Sequence, residues 1–488
     1  MGNNIRNRAF SNILWRLAER TGAQAVAFFV EIALARLLAP EAFGMVALVI
    51  VFIAVLQVFV DSGLGNALIQ KKNADDLDFS SVFYFNMTVC LTLYGLMFIA
   101  APFIADFYNM PDLTPVVRVL SFMLVISGVR NIQQAYVARH LMFRRFFYAT
   151  LGGTVGAAAI GIGMAYKGFG VWAVVAQQLF NAALGTLILW LTVKWRPKLM
   201  FSMERLKGLF SYGWKLLASS LINTLYIEIR QLIIGKVYLP EELAFYNRSS
   251  HFPKFVTANI NSSIDSVLLP AMSAEQDDKT RVRSMTRRAI KTSVYILMPC
   301  MVGLAVCAEP LVRLILTEKW LPCVPFLRVL CFVYAFLPVH TANLNAIKAI
   351  GRSDLFLKLE ILKKIVGLTA MFSTIFISLE AMVYSYLITT VISMCINAYP
   401  NKKLLNYSIK DQLLDMLPTI AVALAIAVPC GAVLLLGLND VLTLIIQVLT
   451  GIVFYIGLSK LFKLEIMNYL LDMLKSFFAD FRKGREAK

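Results

Sequence analysis

The feature that most constrains this chain is a series of long apolar runs separated by short polar links. A membrane-spanning α-helix needs roughly 20 mostly apolar residues, so each run predicts one span. No polar stretch between the runs is long enough for a soluble domain. We therefore predict an all-α polytopic membrane protein of about fourteen transmembrane helices, at residues 12–38, 43–64, 80–105, 115–138, 146–166, 169–193, 208–237, 243–270, 287–308, 325–349, 356–378, 380–400, 413–437 and 440–462.

Charged residues are few in this chain, and they are mostly basic. Hydrophobic residues make up 59% of the sequence and charged residues 16%. This excludes an ordinary soluble protein, in which about a quarter of the residues are charged. Lysine and arginine total 47 against 29 acidic residues, a formal net charge of +18. In a membrane protein such an excess is typical of cytoplasmic loops, so we expect no nucleic-acid partner.

The positions of the basic residues predict the topology. If the N-terminus is inside, the outside links hold few cations, chiefly Lys167 and Lys319. Because cytoplasmic links are enriched in lysine and arginine, this alternation predicts an even number of helices with both termini cytoplasmic. The basic residues of the inside links and the tail are Arg6, Arg8, Lys71, Lys72, Arg139, Arg144, Arg145, Lys194, Arg196, Lys198, Arg205, Lys207, Lys279, Arg281, Arg283, Arg287, Arg288, Lys348, Arg352, Lys358, Lys402, Lys403, Lys410, Lys475, Arg482, Lys483, Arg485 and Lys488.

The sequence also repeats itself at an offset of about two hundred residues. Residues 38–41 recur as 238–241, and residues 117–122 recur as 327–332. The offset covers six spans, an even number, so both halves have the same orientation, an architecture typical of secondary transporters. We therefore predict two six-helix lobes, then two additional helices with a basic cytoplasmic tail, with boundaries at 1–200, 201–407 and 408–488.

Several cations lie inside the predicted spans, where an ionisable group by default faces a water-filled cavity or a partner. Near the span ends, the alternative is that the long side chain places its charge at the membrane surface. This applies to Arg16, Arg36 and Lys215. A basic cavity favours an anionic ligand such as a lipid pyrophosphate, because arginine presents forked donors to phosphate oxygens. The predicted substrate-binding cations, on spans one, seven and eight, are Arg16, Arg20, Lys215, Arg230, Arg248, His251 and Lys254.

Four carboxylates accompany these cations. Glu31 and Glu228 are either buried partners of a nearby arginine or groups that couple transport to an ion. Asp61 and Asp265 occupy corresponding positions in the two halves, near cytoplasmic helix ends, where capping of a loop is the alternative to ion coupling. The coupling ion, a proton or Na⁺, is left open, and no cofactor is expected.

Other motifs add little to a functional assignment. Asp76-Leu77-Asp78 has the pattern of metal-dependent glycosyltransferases, but no nucleotide-binding domain surrounds it, so we interpret it as a helix cap. Gly152, Gly153 and Gly156 indicate close helix packing. The cysteines and histidines are scattered, so no metal site is expected. No Walker A sequence is present, which excludes an ATPase on this chain, and no enzyme activity is predicted.

Five segments resemble one family of transporters. Residues 34–44 and 61–70 are similar to the opening signature of Wzx-type polysaccharide flippases, which belong to the multidrug/oligosaccharidyl-lipid/polysaccharide exporter superfamily. Residues 268–272, 276–278 and 318–320 resemble the colanic acid and teichuronic acid exporter branch. The resemblance covers about residues 10–400 and fades over the last two helices.

This resemblance implies that the chain moves a polyprenyl-pyrophosphate-linked oligosaccharide across the cytoplasmic membrane of a bacterium by alternating access, for cell-surface polysaccharide synthesis. It implies membrane lipids, a polysaccharide polymerase and glycosyltransferases as partners. Two alternatives remain open. One is a cation-coupled multidrug exporter of the same superfamily, which the net basic spans disfavour. The other is a membrane-embedded polysaccharide synthase, which would need a sugar-nucleotide site.

Overall fold

The computed structural model describes residues 22–61, 64–71, 73–140 and 142–472. Within these ranges the chain is helical, with no strand. Ten of the described helices or helix pairs are long and apolar enough to cross a membrane. The prediction of an all-α polytopic membrane protein is therefore confirmed. The first predicted span lies partly outside the described residues, where only 22–37 is seen as a helix, α1.

The chain divides into two compact units, and the boundary along the sequence lies between Ala244 and Phe245. Proline and carboxylate residues mark several helix starts in the first unit: Pro40 and Glu41 begin one helix, and Asp75 caps another. The helices that follow α1 are α2 (Pro40–Asp61), α3 (Leu64–Gln70), α4 (Asp76–Tyr108), α5 (Leu113–Leu120), α6 (Met123–Arg139), α7 (Phe143–Tyr166), α8 (Val171–Thr192) and α9 (Met203–Val237).

The first unit is packed through glycines where helices come closest. A Cβ on Gly153 of α7 would lie 3.0 Å from the Asn181 carbonyl oxygen and 3.0 Å from the Gly185 nitrogen of α8. The close packing predicted from the glycine spacing is thus confirmed. A Cβ on Gly44 of α2 would lie 1.8 Å from the carbonyl oxygen of Pro240. Only glycine allows the backbone to pass this close.

The second unit begins within α10 (Pro240–Ala274), which contains two internal prolines, Pro253 and Pro270. Asp278, Ser378, Ser408 and Asn439 each cap a following helix with a side-chain oxygen. The remaining helices are α11 (Lys279–Val306), α12 (Ala308–Leu316), α13 (Val324–Ala335), α14 (Leu337–Ala349), α15 (Ser353–Thr374), α16 (Leu379–Ala398), α17 (Asn401–Leu405), α18 (Ile409–Ala425), α19 (Ala427–Ala432), α20 (Asp440–Leu461) and α21 (465–472), with 3-10 turns at Glu318–Cys323 and Val433–Leu436.

The additional helices α18 and α20 are held to the second unit by polar contacts as well as apolar packing. Asn343 and Gln412, both fully buried, exchange two amide hydrogen bonds of 3.0 and 2.9 Å between α14 and α18. Arg287 of α11 binds both carboxylate oxygens of Asp415, at 2.7 and 2.6 Å. Tyr455 of α20 donates a 2.7 Å hydrogen bond to a backbone carbonyl of α11.

Helix α9 packs in the first unit, against α2, α3 and α4. Sequence repetition assigns this helix to the second half, which we predicted to begin at residue 201. Repetition records ancestry within the chain, whereas packing records contact, so the two properties need not divide the chain at one residue. The lobe boundaries at 1–200, 201–407 and 408–488 stay predictions.

Candidate functional site

Three long helices are less apolar than the ten candidate spans. Helices α9 and α10 have 35 residues each and α15 has 22, so each is long enough to cross a bilayer. Each fails the apolarity criterion that the ten helices meet. Charges within a span are retained where they face water or a partner. The charged residues of these helices are therefore candidates for contact with water or with a polar ligand, each within its own unit.

The structure describes only some of the predicted cations of spans one and seven. Arg16 and Arg20 lie outside the described residues. Lys215 is in α9, but its side chain is not described. Arg230, further along α9, is half-buried in the first unit. Since α9 is also a charged helix, Arg230 is the described cation of this unit that best fits contact with a polar ligand.

The predicted cations of span eight lie in α10, in the second unit. The half-buried guanidinium of Arg248 lies over the ring of Trp320, 5.2 Å from its centroid, and Trp320 itself is fully buried. A cation over an indole face is stabilised by the ring quadrupole. His251 and Lys254 follow at spacings of three and are exposed. The convergence of Arg230, Arg248, His251 and Lys254 on one cavity stays a prediction.

The two predicted glutamates both occupy the first unit. Glu31 is half-buried in α1. Glu228 is half-buried in α9 and accepts a 2.6 Å hydrogen bond from the side chain of Gln231, less than one turn further along the helix. Glu228 lies two residues from Arg230. Whether Glu31 and Glu228 serve as charge partners or as ion-coupling groups stays a prediction.

Asp61 and Asp265 make the same type of contact in the two units. Asp61, at the end of α2, accepts a 3.1 Å hydrogen bond from the amide nitrogen of Asn131 in α6. Asp265 of α10 accepts a 2.8 Å hydrogen bond from the amide nitrogen of Asn345 in α14. Each carboxylate therefore joins the second and fourth predicted spans of its half. Whether Asp61 and Asp265 couple an ion or cap a loop stays a prediction.

Three further ionisable groups, not singled out from the sequence as site residues, also lie in apolar runs. Lys363 of α15, whose side chain is 14% exposed, donates to Glu360 at 2.5 Å. His340 of α14 shares a 3.0 Å hydrogen bond with the amide of Asn397 in α16. The rule that singled out Arg230 applies equally to Glu360 and Lys363. Helix α15 therefore belongs with α9 and α10 among the charged helices.

The DxD motif lies at the start of α4 and has a structural role. Asp75 caps the helix, and Asp75 and Asp78 each accept a hydrogen bond from the backbone of the other. The interpretation of this segment as a helix cap is confirmed. The Asp78 backbone N–H, aided by Arg205 and Lys71, holds the pKa of Asp75 below its usual value. The described residues contain no group of three or more His, Cys, Asp or Glu side chains that could hold a metal ion.

The Asp78 carboxylate itself is fully buried within an ionic cluster. Lys71 binds both of its oxygens at 2.7 Å, and Arg205, two residues into α9, lies 3.5 Å away. Lys198 pairs with Asp76 nearby. These contacts fasten the links before α4 and α9 to each other within the first unit.

Comparison with known proteins shows the family to which this chain belongs. The profile of a family described as polysaccharide biosynthesis protein matches residues 33–325. The teichuronic acid biosynthesis protein TuaB of Bacillus subtilis is 28% identical over 309 residues, covering 61% of this chain and 62% of that protein. The succinoglycan biosynthesis transport protein ExoT of Rhizobium meliloti is 23% identical over 493 residues, covering 98% of this chain and 96% of that protein.

Among solved structures, the lipid II flippase MurJ in an inward closed conformation superposes with a TM-score of 0.74. It is 14% identical in sequence, and the match covers 93% of this chain and 100% of that one. At this identity the likeness shows the fold alone. The resemblance to polysaccharide flippases expected from residues 34–44 and 61–70 is confirmed by the family match.

Proposed function

This chain belongs to the polysaccharide biosynthesis protein family, and on that premise we propose that it is a flippase for lipid-linked oligosaccharides. It moves polyprenyl-pyrophosphate-linked repeat units from the cytoplasmic to the outer leaflet, for the synthesis of a cell-surface polysaccharide. The fold shared with a lipid II flippase and the relatives named for teichuronic acid and succinoglycan biosynthesis support the proposal. The chain acts as a transporter rather than as an enzyme.

The observation that carries the proposal is the placement of charge on three helices long enough to span a membrane. The substrate has an apolar tail that remains in the bilayer and a charged, sugar-bearing head that must cross it. Arginine binds phosphate oxygens through forked donors, and a polar path lets the head cross without entering hydrocarbon. In this mechanism Arg16, Arg20, Lys215, Arg230, Arg248, His251 and Lys254 bind the pyrophosphate during alternating access.

The chemistry of this substrate also sets the partners and the location. Glycosyltransferases must assemble the repeat unit on the inner face, and a polymerase must consume it on the outer face. We therefore place the chain in the cytoplasmic membrane of a bacterium, among membrane lipids. The sugar sequence and the length of the lipid carrier are properties of that pathway rather than of the described helices.

Charge reversal tests the cationic path. Arg20→Glu and Arg230→Glu should each abolish surface polymer, with the protein present in the membrane at its normal level, because a carboxylate repels the pyrophosphate. Arg281→Glu is the matched control, since Arg281 is a cytoplasmic arginine whose side chain is 63% exposed. Normal polymer export from both the Arg20 and the Arg230 variants would overturn the assignment of these residues.

Two assays separate the flippase from its alternatives. A multidrug exporter of the same superfamily would raise the drug resistance of a sensitive strain, and the flippase should not. A polysaccharide synthase would turn over labelled nucleotide sugars as a purified protein, whereas the flippase should leave them intact. Complementation of a strain that lacks its own flippase for the cognate polymer gives the positive result.

A further inference from the structure

The short turn that joins α12 to α13 carries a fully buried tryptophan. The turn is the 3-10 helix Glu318–Cys323, and Trp320 within it has no exposed surface. Together with Glu318 and Lys319, which precede it, Trp320 forms the segment that resembles polysaccharide exporters. Tryptophan is the largest side chain and is rarely buried completely. The contacts that Trp320 makes therefore indicate what this segment does.

The backbone at the start of the turn has an uncommon conformation. Thr317 has φ 84° and ψ 170°, a region that suits glycine and strains a β-branched residue. Its carbonyl oxygen accepts a 3.2 Å hydrogen bond from the backbone N–H of Trp320. The turn also packs against α12 and α13. Such strain persists only where the surrounding contacts determine the conformation, so the turn holds Trp320 in one position.

Two side chains of α10 contact the indole. The ring of Phe245 lies nearly at a right angle to it, at 86°, with 6.0 Å between the ring centroids. The guanidinium carbon of Arg248 lies over the indole, 5.2 Å from its centroid. Phe245 and Arg248 are three residues apart, which places them on the same side of α10. Other large apolar side chains can supply the contact with Phe245, whereas the attraction to Arg248 requires the π face of a ring.

A guanidinium held over a ring is prepared for an anionic ligand. A long side chain loses rotamer freedom when it binds a ligand, and part of that loss is already made when the group is held in place beforehand. An aromatic ring contacts the face of a guanidinium, whereas phosphate oxygens accept hydrogen bonds from its in-plane N–H groups. The two interactions are therefore compatible, and the first strengthens the second.

We propose that Trp320 is a positioning residue, which holds the guanidinium of Arg248 in place to bind a pyrophosphate group. This role rests on the proposed function, because it takes Arg248 as a ligand of the substrate's pyrophosphate. Trp320 acts through Arg248 and does not itself touch the substrate. The strained turn at Thr317 serves the same purpose, since it fixes the position of the indole.

Fluorinated tryptophans at position 320 of the full-length protein test this role. Fluorine withdraws electron density from the ring face and weakens its attraction for a cation, with little change in the size of the ring. The experiment measures the affinity of each purified protein for farnesyl pyrophosphate. Affinity should fall with each added fluorine, by roughly three- to tenfold over the series. Binding of farnesol, which has the same tail without the pyrophosphate, should not change.

A second ring that carries a cation provides the matched control. Phe356 lies below the ammonium of Lys348, which is 4.6 Å from its centroid and is not among the predicted substrate-binding cations. Fluorinated phenylalanines at position 356 should leave the affinity unchanged.

A double-mutant comparison separates positioning from packing. Trp320→Leu should lower the affinity for farnesyl pyrophosphate where Arg248 is present, and should have no further effect in the Arg248→Ala background. A loss of the same size in both backgrounds would show that the indole acts through packing and would overturn the proposal. The fluorinated series decides the question by itself if Trp320→Leu does not fold.

The remaining outcomes are also decisive. Equal or rising affinity along the fluorinated series would overturn the role of Trp320 and leave the proposed function standing. A melting temperature that falls in parallel with the affinity would indicate packing and would overturn it too. No binding of farnesyl pyrophosphate by wild type would be a different failure, because it removes the pyrophosphate site and with it the mechanism of the proposed function.

Discussion

At the scale of single residues, the buried carboxylate of Asp78 holds together the links that precede α4 and α9. Asp78 is fully buried and binds Lys71 through both oxygens. Asp78→Asn keeps the shape and removes the charge. We expect the free energy of unfolding to fall by about 2 kcal/mol, less than for a wholly buried pair because Lys71 and Arg205 remain partly exposed.

Unfolding of the purified protein in detergent measures this loss, and Asp76→Asn provides its control. The side chains of Asp76 and its partner Lys198 are 45% and 59% exposed. Water replaces the partner of an exposed ion, so this variant should lose less than about 1 kcal/mol. Equal losses in the two variants would contradict the assignment of Asp78 as the buried centre of the cluster.

The capping residue Asp75 should make stability depend on pH in the acid range. Its pKa is lower in the folded protein than in the unfolded chain, first because the Asp78 N–H donates to it. The stabilisation is therefore complete above the ordinary pKa near 3.8 and is lost as pH falls through the folded value. Asp75→Asn also caps a helix but does not titrate. Its melting temperature should fall less than that of wild type between about pH 5 and pH 3.

Charged residues within apolar runs were identified from the sequence, but the residues that contact them were not. Asp61 and Asp265 are conspicuous because a carboxylate in an apolar run is costly. Asn131 and Asn345 are 70 and 80 residues away from them and are ordinary in composition. Only the folded helices bring each pair together.

At the scale of helices, the pair α7 and α8 is packed too closely to admit a side chain at Gly153. A Cβ there would lie 3.0 Å from backbone atoms, which have no rotamer to adjust. Gly153→Ala should therefore lower stability by about 1–3 kcal/mol. Gly163, on the same helix, has nothing within 4 Å of its Cβ position. Gly163→Ala should leave the melting temperature unchanged or raise it, and a loss equal to that of Gly153→Ala would refute the packing argument.

The attachment of α18 to the second unit depends on a reciprocal amide pair. Gln412→Leu removes both hydrogen bonds to Asn343 and should lower the free energy of unfolding by about 1–3 kcal/mol. Lys410→Leu, an exposed change on the same helix, is the control and should be nearly neutral. Thermal unfolding of the two purified variants checks the difference. A neutral Gln412→Leu would show that apolar packing alone holds α18.

Helices were the most predictable level of this fold, because a span has a fixed minimum length. The runs at 80–105 and 169–193 correspond to Asp76–Tyr108 and Val171–Thr192. Interruptions were not predicted: α5 and α6 are two helices within one predicted span, 115–138. An apolar run does not record such a break, since both pieces are equally apolar. Helix α15 corresponds to the predicted span 356–378, but the charges Glu360 and Lys363 within it were not singled out from the sequence.

At the scale of the whole molecule, sequence repetition and loop charge predict the architecture but not its packing. The all-α membrane fold is confirmed, and it superposes on the fold of a lipid II flippase, whereas the duplication into two lobes stays a prediction. Yet α9 packs with the first unit although repetition assigns it to the second half. Helix-to-helix contact depends on shape complementarity, at points such as Gly44 against Pro240, which a repeat offset does not contain.

The alternation of basic links makes a prediction for the chain as a whole. Lysine and arginine resist translocation across the membrane, so the links that contain them remain cytoplasmic. Green fluorescent protein fused after Lys488 should therefore fold in the cytoplasm and fluoresce, and alkaline phosphatase at the same position should be inactive. Alkaline phosphatase fused after Leu438, in the link between α18 and α20, should be active because that link is predicted to be outside. Active phosphatase at Lys488 would contradict the even number of spans, and with it the shared orientation of the two halves on which the transport mechanism depends.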